Sequence, residues 1–423
     1  MTSLLAIIFS ILSFGAVGDG KTDNTQAITQ AITQCAQQGG GTVVFPAGTY
    51  VTGTLHLQSG VTLRLEEGAV LMGSADLQRY QSLRTTLDLS RYESGRGTVN
   101  YNSATDPEWS RALIFCVGID HAGIEGPGTI DGADMRNPKG EEGMRGPHTV
   151  LMAGCRDMRF EGFTVRRSAN YAFLAYQIDR TTFRGLTITG GWDGIHIRGG
   201  KHITLDRCIM HTGDDAIAGG YWERATISHC TLNSSCNGIR MIMPSTRVEV
   251  SDCDIYGPGQ HPHITSGKTS SDAAINIEPG AWGEAPGRLD KIVIRRVRAT
   301  QVLTPLSVTL GEDNSCGSIL VEDLVARDIT RMALSVKSWG TAVTDRVTIR
   351  RADLQFRGID DPNLPQWFKE RPCSEWPVFP CYGMYFRNVG KLKIKETHTS
   401  FTGKDYRKAI ILDHVGKDTY KEM

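Results

Sequence analysis

The feature that most restricts the fold of this chain is a repeat. Short stretches of alternating apolar residues recur at 159–165, 182–188, 202–209, 225–232 and 248–255, and their equivalent positions Phe163, Leu186, Cys208, Cys230 and Cys253 lie 23, 22, 22 and 23 residues apart. Further copies occur at 292–297, 319–324, 347–351 and 392–395. Strict alternation over so few residues specifies short half-buried strands. A period in the twenties with no helical pattern between the copies stacks such strands in parallel along a solenoid. The expected fold is therefore all-β, a parallel β-helix, with 1–423 as a single domain.

The repeat assigns the rest of the chain by default. From Cys253 to Val297 the step is 44 residues, two coils' worth, so a loop-rich coil such as 261–283 is expected to carry an insertion. Cys208, Cys230 and Cys253 share one position on successive coils and are expected as an interior ladder of small buried thiols. Cys373 and Cys381 lie instead in a Pro-rich stretch where a bridge closing the loop is expected. Open solenoid ends expose strand edges and need caps. Ala27, Ile28, Ala31, Ile32 and Cys35 recur at helical spacing, with Asp23, Asn24 or Thr25 as N-cap and Gly39 to Gly41 as the stop, which predicts a cap helix over about 25–37. At the other end, 357–385 reads as a loop-rich segment around Trp367 and Trp376, followed by a short strand near Leu392 and a polar tail.

Composition excludes whole classes of partner. Lys plus Arg and Asp plus Glu both number 46, so a general binder of nucleic acid or anionic membranes is not expected. No apolar run approaches the roughly 18 to 20 residues of a bilayer span. The ten cysteines show no CxxC or Cys/His pairing at zinc spacing, so no metal site is expected. The apolar stretch 4–12 reads either as part of an export leader, with no Lys or Arg before it, or, through 9–17, as a first strand.

Aligning the coils brings out a file of polar residues. Seven places after the reference position lie Asn170, Asp193, Asp215 and Asn237, one per coil, with Asp214 beside Asp215. Strands stacked at about 4.8 Å would gather the three carboxylates. Ten places after the reference lie His196, Ala218 and Arg240, which alternation turns away from the apolar Ile195, Ile197, Ile217, Ile239 and Met241. An exposed face is expected, with Asp193, Asp214 and Asp215 at its centre, His196 and Arg240 on its flanks, and Trp192 and Trp222 bordering it. Carboxylates held apart in this way suit glycosidic cleavage, in which one donates a proton to the leaving oxygen and another activates water. The plain alternative is a set of turn-forming Asp and hydrogen-bonded Asn residues, and three crowded aspartates argue against it. Loops at 80–109 and 261–282, with Trp367 and Trp376, are expected to wall a groove.

These residues point to a family. The stretches 14–25 (FGAVGDGKTDNT), 39–50 (GGGTVVFPAGTY) and 212–218 (TGDDAIA) resemble the polygalacturonase-like glycoside hydrolases, family 28, over about 9–255. The resemblance implies a right-handed parallel β-helix that hydrolyses pectic bonds with inversion, needs no cofactor, and is secreted or periplasmic. It implies Asp214 as general acid and Asp193 and Asp215 as the carboxylates that hold and deprotonate water. From their places in or beside the polar file, Asn170, Trp192, His196, Trp222, Asn237 and Arg240 are expected to contact substrate. Two departures stand out. Gly191-Trp192-Asp193 replaces the family's NTD, and Cys236-Asn237-Gly238 stands where a GHG motif is expected. No RxK motif is evident, and Arg240 is the candidate for its cation. A non-catalytic carbohydrate-binding β-helix and a polysaccharide lyase are the alternative functions.

Overall fold

The computed structural model describes residues 7–93, 102–364 and 378–416. The chain divides into two compact units, Met1–Met210 and His211–Met423. Each is a stack of parallel β coils, so the all-β right-handed parallel β-helix expected from the repeat is the fold observed.

In the first unit the inward column Val43, Leu63, Ile124, Phe160, Phe183 and Leu205 runs through successive strands in direct register. Phe160 and Phe183 stack at 5.3 Å between centroids. A second column on the opposing sheet joins Tyr50, Leu71, Ile130, Val165 and Ile188. All of these side chains are buried, each contributing about 1.5–3 kcal/mol of transfer free energy for the larger apolar ones. The second unit repeats the scheme with Ile227, Val250, Ile294, Val321, Ile349 and Ile394.

The coils turn at single residues in the left-handed region. Arg180, His202, Arg224 and Arg247 hold φ between 47° and 60°, at steps of 22, 22 and 23 residues. Long polar side chains occupy these corners because they reach their neighbours on the next coil. Arg180 grips Asp157 through Nε and Nη2 at 2.6 and 2.9 Å, and Arg296 holds Asp252 in the same way at 2.6 and 2.8 Å. Exposed pairs like these contribute about 0–1 kcal/mol each, so the apolar columns and not the corner ions hold the stack together.

The cap helix is Thr25–Gln37, burying Ile28, Ala31, Ile32 and Cys35. Asp23 caps it by accepting from Thr25 N at 3.1 Å, while the buried Asn24 side chain ties back to Val17. Residues Ile8–Ser10 form a first strand, paired with Gly41–Phe45. The expected burial of small thiols is also observed: Cys208, Cys230 and Cys253 are buried and unbridged, each donating to the carbonyl two residues back.

The 44-residue step is one coil enlarged by an insertion, since Val248 pairs directly with Ile292. The extra length lies in the turns around Ser271–Ile277, which itself pairs with Asn237–Met241. The C-terminal end is not a short strand and a tail: Cys381–Lys395, His398–Thr402 and Lys408–Val415 are all strands. The expected alternation at 392–395 is present, with Lys391, Lys393 and Lys395 pointing outward and Leu392 and Ile394 buried, but the strand extends further on its N-terminal side and two more strands follow. Cys381 is a free buried thiol facing the Met384 carbonyl, against the expected bridge. Its suggested partner Cys373, and Trp367 and Trp376, lie outside the described residues.

Candidate active site

In the first unit, the corner after Thr187–Thr189 is made by Gly190 and Gly191, at φ 73° and 71°. A Cβ on Gly191 would stand 2.8 Å from the Ser168 carbonyl oxygen, so the turn requires glycine there. The turn delivers Trp192 and Asp193, and the Asp193 carbonyl accepts from Ala172 N at 2.9 Å. Asp193 Oδ2 lies 2.6 Å from His196 Nδ1. Arg198 Nε donates to His196 Nε2 at 3.1 Å, which places the imidazole hydrogen on Nδ1, donating to Asp193. The imidazole is stacked on Tyr171 at 4.8 Å with a 2° interplanar angle. Trp109 and His148 pack against Tyr171, and burial together with the Arg198 charge keeps His148 neutral. Arg198 is itself buried, donating to Tyr92 O and Asn102 Oδ1. Arg145 lies 3.7 Å from the centroid of Trp192 and pairs with Glu141 and Glu142. Asn170 Nδ2 donates to the Gly146 carbonyl at 3.3 Å.

In the second unit, two hydroxyls fix the corner that carries the paired carboxylates: Thr212 and Ser234 donate to the Asp214 carbonyl at 2.9 and 2.7 Å. Asp215 Oδ1 accepts from Asn237 N at 3.0 Å and Nδ2 at 2.7 Å, and Arg240 Nη1 stands 3.5 Å from Oδ2. Burial pushes the Asp215 carboxyl up, the Arg240 charge opposes this, and the Asp214 charge adds to it. Asp214 keeps 15% side-chain exposure and lies 3.8 Å from His263 Nε2. Arg240 is committed elsewhere as well, with Nε and Nη2 at 3.0 and 2.9 Å from Glu278 Oε1 and its guanidinium over Trp282. Lys268 pairs with Asp272 at 2.6 Å, and Cys236 Sγ faces the same carboxylate at 3.6 Å.

Asp214, Asp215 and Cys236 present atoms within 4.8 Å of one another, a geometry that could hold a cation. Burial, then the Asp215, Asp214 and Asp272 charges, drive the Cys236 thiol well up, so it stays protonated and makes a poor ligand.

The structure thus brings Asp193 together with His196, and Asp214 and Asp215 together with Asn237 and Arg240. The expectation of an exposed face is corrected. Asn170, Trp192, Asp193, His196, Asp215, Trp222, Asn237 and Arg240 are all buried, and of the nine only Asp214 is partly open. The cover in the first unit comes from Tyr92, Asn102 and Arg145, and in the second from the enlarged coil, through His263, Glu278 and Trp282. Trp192 is sandwiched by Arg145, and Trp222 is buried with its backbone N donating to Ser245 Oγ at 3.2 Å, so packing claims both rings. Sequence reasoning missed Tyr171, Arg198, Cys236, Asp272 and Glu278. Arg198 was within reach, being two residues beyond His196 on the same strand face; Glu278 was not, since no repeat links it to Arg240.

Stacked parallel coils with carboxylates at their turns define the fold class, a right-handed parallel β-helix. Residues 8–240, more than half of the chain, match the family described as rhamnogalacturonase A/epimerase, pectate lyase-like, and the chain belongs to that family. A probable polygalacturonase of Vitis vinifera is 28% identical over 222 residues, covering 49% of this chain and 43% of that protein. The plasmin and fibronectin-binding protein A of Streptococcus pneumoniae is 29% identical over 195 residues, covering 43% of this chain and 26% of that protein. The chain thus spans less than half the length of these relatives. An exopolygalacturonase from Thermotoga maritima superposes with a TM-score of 0.66 at 16% identity, covering 95% of this chain and 93% of the other, a likeness of fold. The expected kinship with polygalacturonase-like proteins is borne out, as a divergent member.

Proposed function

We propose that this protein is a glycoside hydrolase that cleaves glycosidic bonds of pectic or related acidic polysaccharides and their oligosaccharides with inversion. Asp214 is the general acid; Asp193 and Asp215 hold and deprotonate the attacking water. Grouping Asp193 with the other two rests on the 22-residue step of the sequence, and no cofactor takes part in this scheme.

The observation that carries the reading is the unequal setting of two adjacent carboxylates. Asp214 and Asp215 are close enough that full ionisation of both is disfavoured, so the pair retains a proton that one of them would otherwise lose. Two amide donors and the Arg240 guanidinium favour the anion on Asp215. Asp214 is the partly open member of the pair, where a leaving oxygen can collect a proton, while burial of Asp215 works against the donors that favour its anion. Asp193, held by the His196 N–H, is oriented to accept a proton from water. Asn170, His196, Asn237 and Arg240 position these groups, and Trp192 and Trp222 support them from beneath. A polysaccharide substrate of this kind places the protein outside the cytoplasm, secreted or periplasmic.

Asp214→Asn should lower reducing-end release from a panel of pectic oligosaccharides by about 10²–10⁴-fold with an unchanged circular dichroism spectrum. Full activity of that variant would refute the assignment, and proton NMR of the wild-type product reports the anomer formed. A second reading, a carbohydrate-binding β-helix without turnover, is favoured by the adhesin of Streptococcus pneumoniae, which superposes with a TM-score of 0.62 at 14% identity over 97% of this chain. Binding to the same panel with no release of reducing ends would select it.

A further inference from the structure

We propose that the sugar ring seated at the second-unit side of Asp214 and Asp215 is a neutral one, and that Glu278 is the residue that turns this side against uronates. The place of the ring rests on the hydrolase reading; its charge does not.

The argument is a count of charges and of what each is bonded to. Four carboxylates gather around this corner: Asp214, Asp215, Asp272 and Glu278. Among the described residues Arg240 and Lys268 face them, and both are bound to carboxylates already. Arg240 gives two hydrogen bonds to Glu278 and its Nη1 to Asp215, and Lys268 is held by Asp272. His263 stands at 3.8 Å from Asp214 and adds a charge only when protonated. The next cation on this face, Lys337, belongs to Leu334–Ser338, two strands on from Ser271–Ile277, where it donates to Ser307 and Ser335 hydroxyls. With one proton held between Asp214 and Asp215, three carboxylates face Arg240 and Lys268, and the Lys337 charge also acts on Glu278. A uronate carboxylate entering here would find Arg240 and Lys268 engaged and would add a further negative charge beside the catalytic pair.

The remaining polar groups are uncharged. Asn276 lies in register with Arg240 on the adjacent strand, on the face opposite Ile275 and Ile277. Both of its amide atoms are buried without a hydrogen-bond partner, and so is Asn237 Oδ1. Unpaired amides are costly to bury and suit hydroxyl groups, which both donate and accept. Glu278 is the pivot of the arrangement. Without its carboxylate, Arg240 would be released to pair with an incoming acid, and the same fold would favour a uronate.

Methyl galactoside and methyl galacturonide share a ring and differ in one group, so they isolate this charge. Titrated into the wild-type protein and followed by NMR, the galactoside should bind at least tenfold more tightly, with the gap narrowing as salt is raised. Glu278→Gln should close the gap by about tenfold or more by improving the galacturonide. Equal or tighter binding of galacturonide by wild type, a gap indifferent to salt, or no binding of either glycoside at tens of millimolar overturns the proposal. The salt comparison on wild type stands even where the variant does not fold. Failure of the hydrolase reading is separate: neutral-ring binding without release of reducing ends on any oligosaccharide removes catalysis and leaves the ring preference in place.

Discussion

Asp193 and Asp215 occupy the same position of one repeat, 22 residues apart, yet their surroundings differ in kind. Asp193 is satisfied by a neutral imidazole held between Tyr171 and Arg198, in an aromatic setting. Asp215 sits among ions, with Arg240 and Glu278 on one side and Asp214 on the other. The backbone repeat fixes where a side chain is placed, while the loops that cover it fix what that side chain can do.

The contrast predicts different sensitivities. Arg240→Ala leaves Glu278 and Asp215 as buried carboxylates without their cation and should destabilise the protein by about 3–5 kcal/mol in urea unfolding. The double variant Arg240→Met with Glu278→Met should recover much of that loss; a double variant no better than the single one would mean that packing, not charge, holds this corner. At the aromatic position, His196→Phe keeps the stack on Tyr171 but strips Asp193 of its donor, and should cost about 1–3 kcal/mol, less than the ionic break. A cost equal to that of Arg240→Ala would erase the distinction between the two corners.

The smallest effect is one of pH. The Asp215 carboxyl is raised above its ordinary 3.8, so the stability it contributes is full below that value and is lost as pH rises through the raised one. Asp215→Asn removes this loss, and its melting temperature relative to wild type should climb between about pH 4 and 7. A flat difference over that range would place the Arg240 charge, and not burial, in control of Asp215. Asp272 and Glu278 are raised by burial in the same direction, so this corner as a whole should favour the acidic side.

Much of the fold was legible because the repeat is local and regular. The cap helix, the interior cysteines and the coil spacing all follow from short-range periodicity. The enlarged coil was readable from its doubled step, and the direct pairing of Val248 with Ile292 places the insertion within one coil. The grouping of Asp215 with Asn237 and Arg240 was readable for the same reason as the fold, since Asn237 and Arg240 share the coil that follows Asp215. The loops that cover the candidate site were readable as segments, 80–109 and 261–282, but their individual contacts were not. Arg145, Tyr92 and Asn102 reach the aromatic corner, and Glu278 and Trp282 the ionic one, from segments with no periodic relation to the strands they meet.

The enlarged coil has an implication for how such a protein can change. Its added residues leave the flanking ladders aligned, so new length is absorbed at the rim and never propagates as a slip through the stack. Chemistry at the surface can thus be rewritten by trading one excursion for another while the lattice beneath stays in step. In that sense the molecule separates a scaffold that tolerates almost no shift from an outer layer that is free to be replaced.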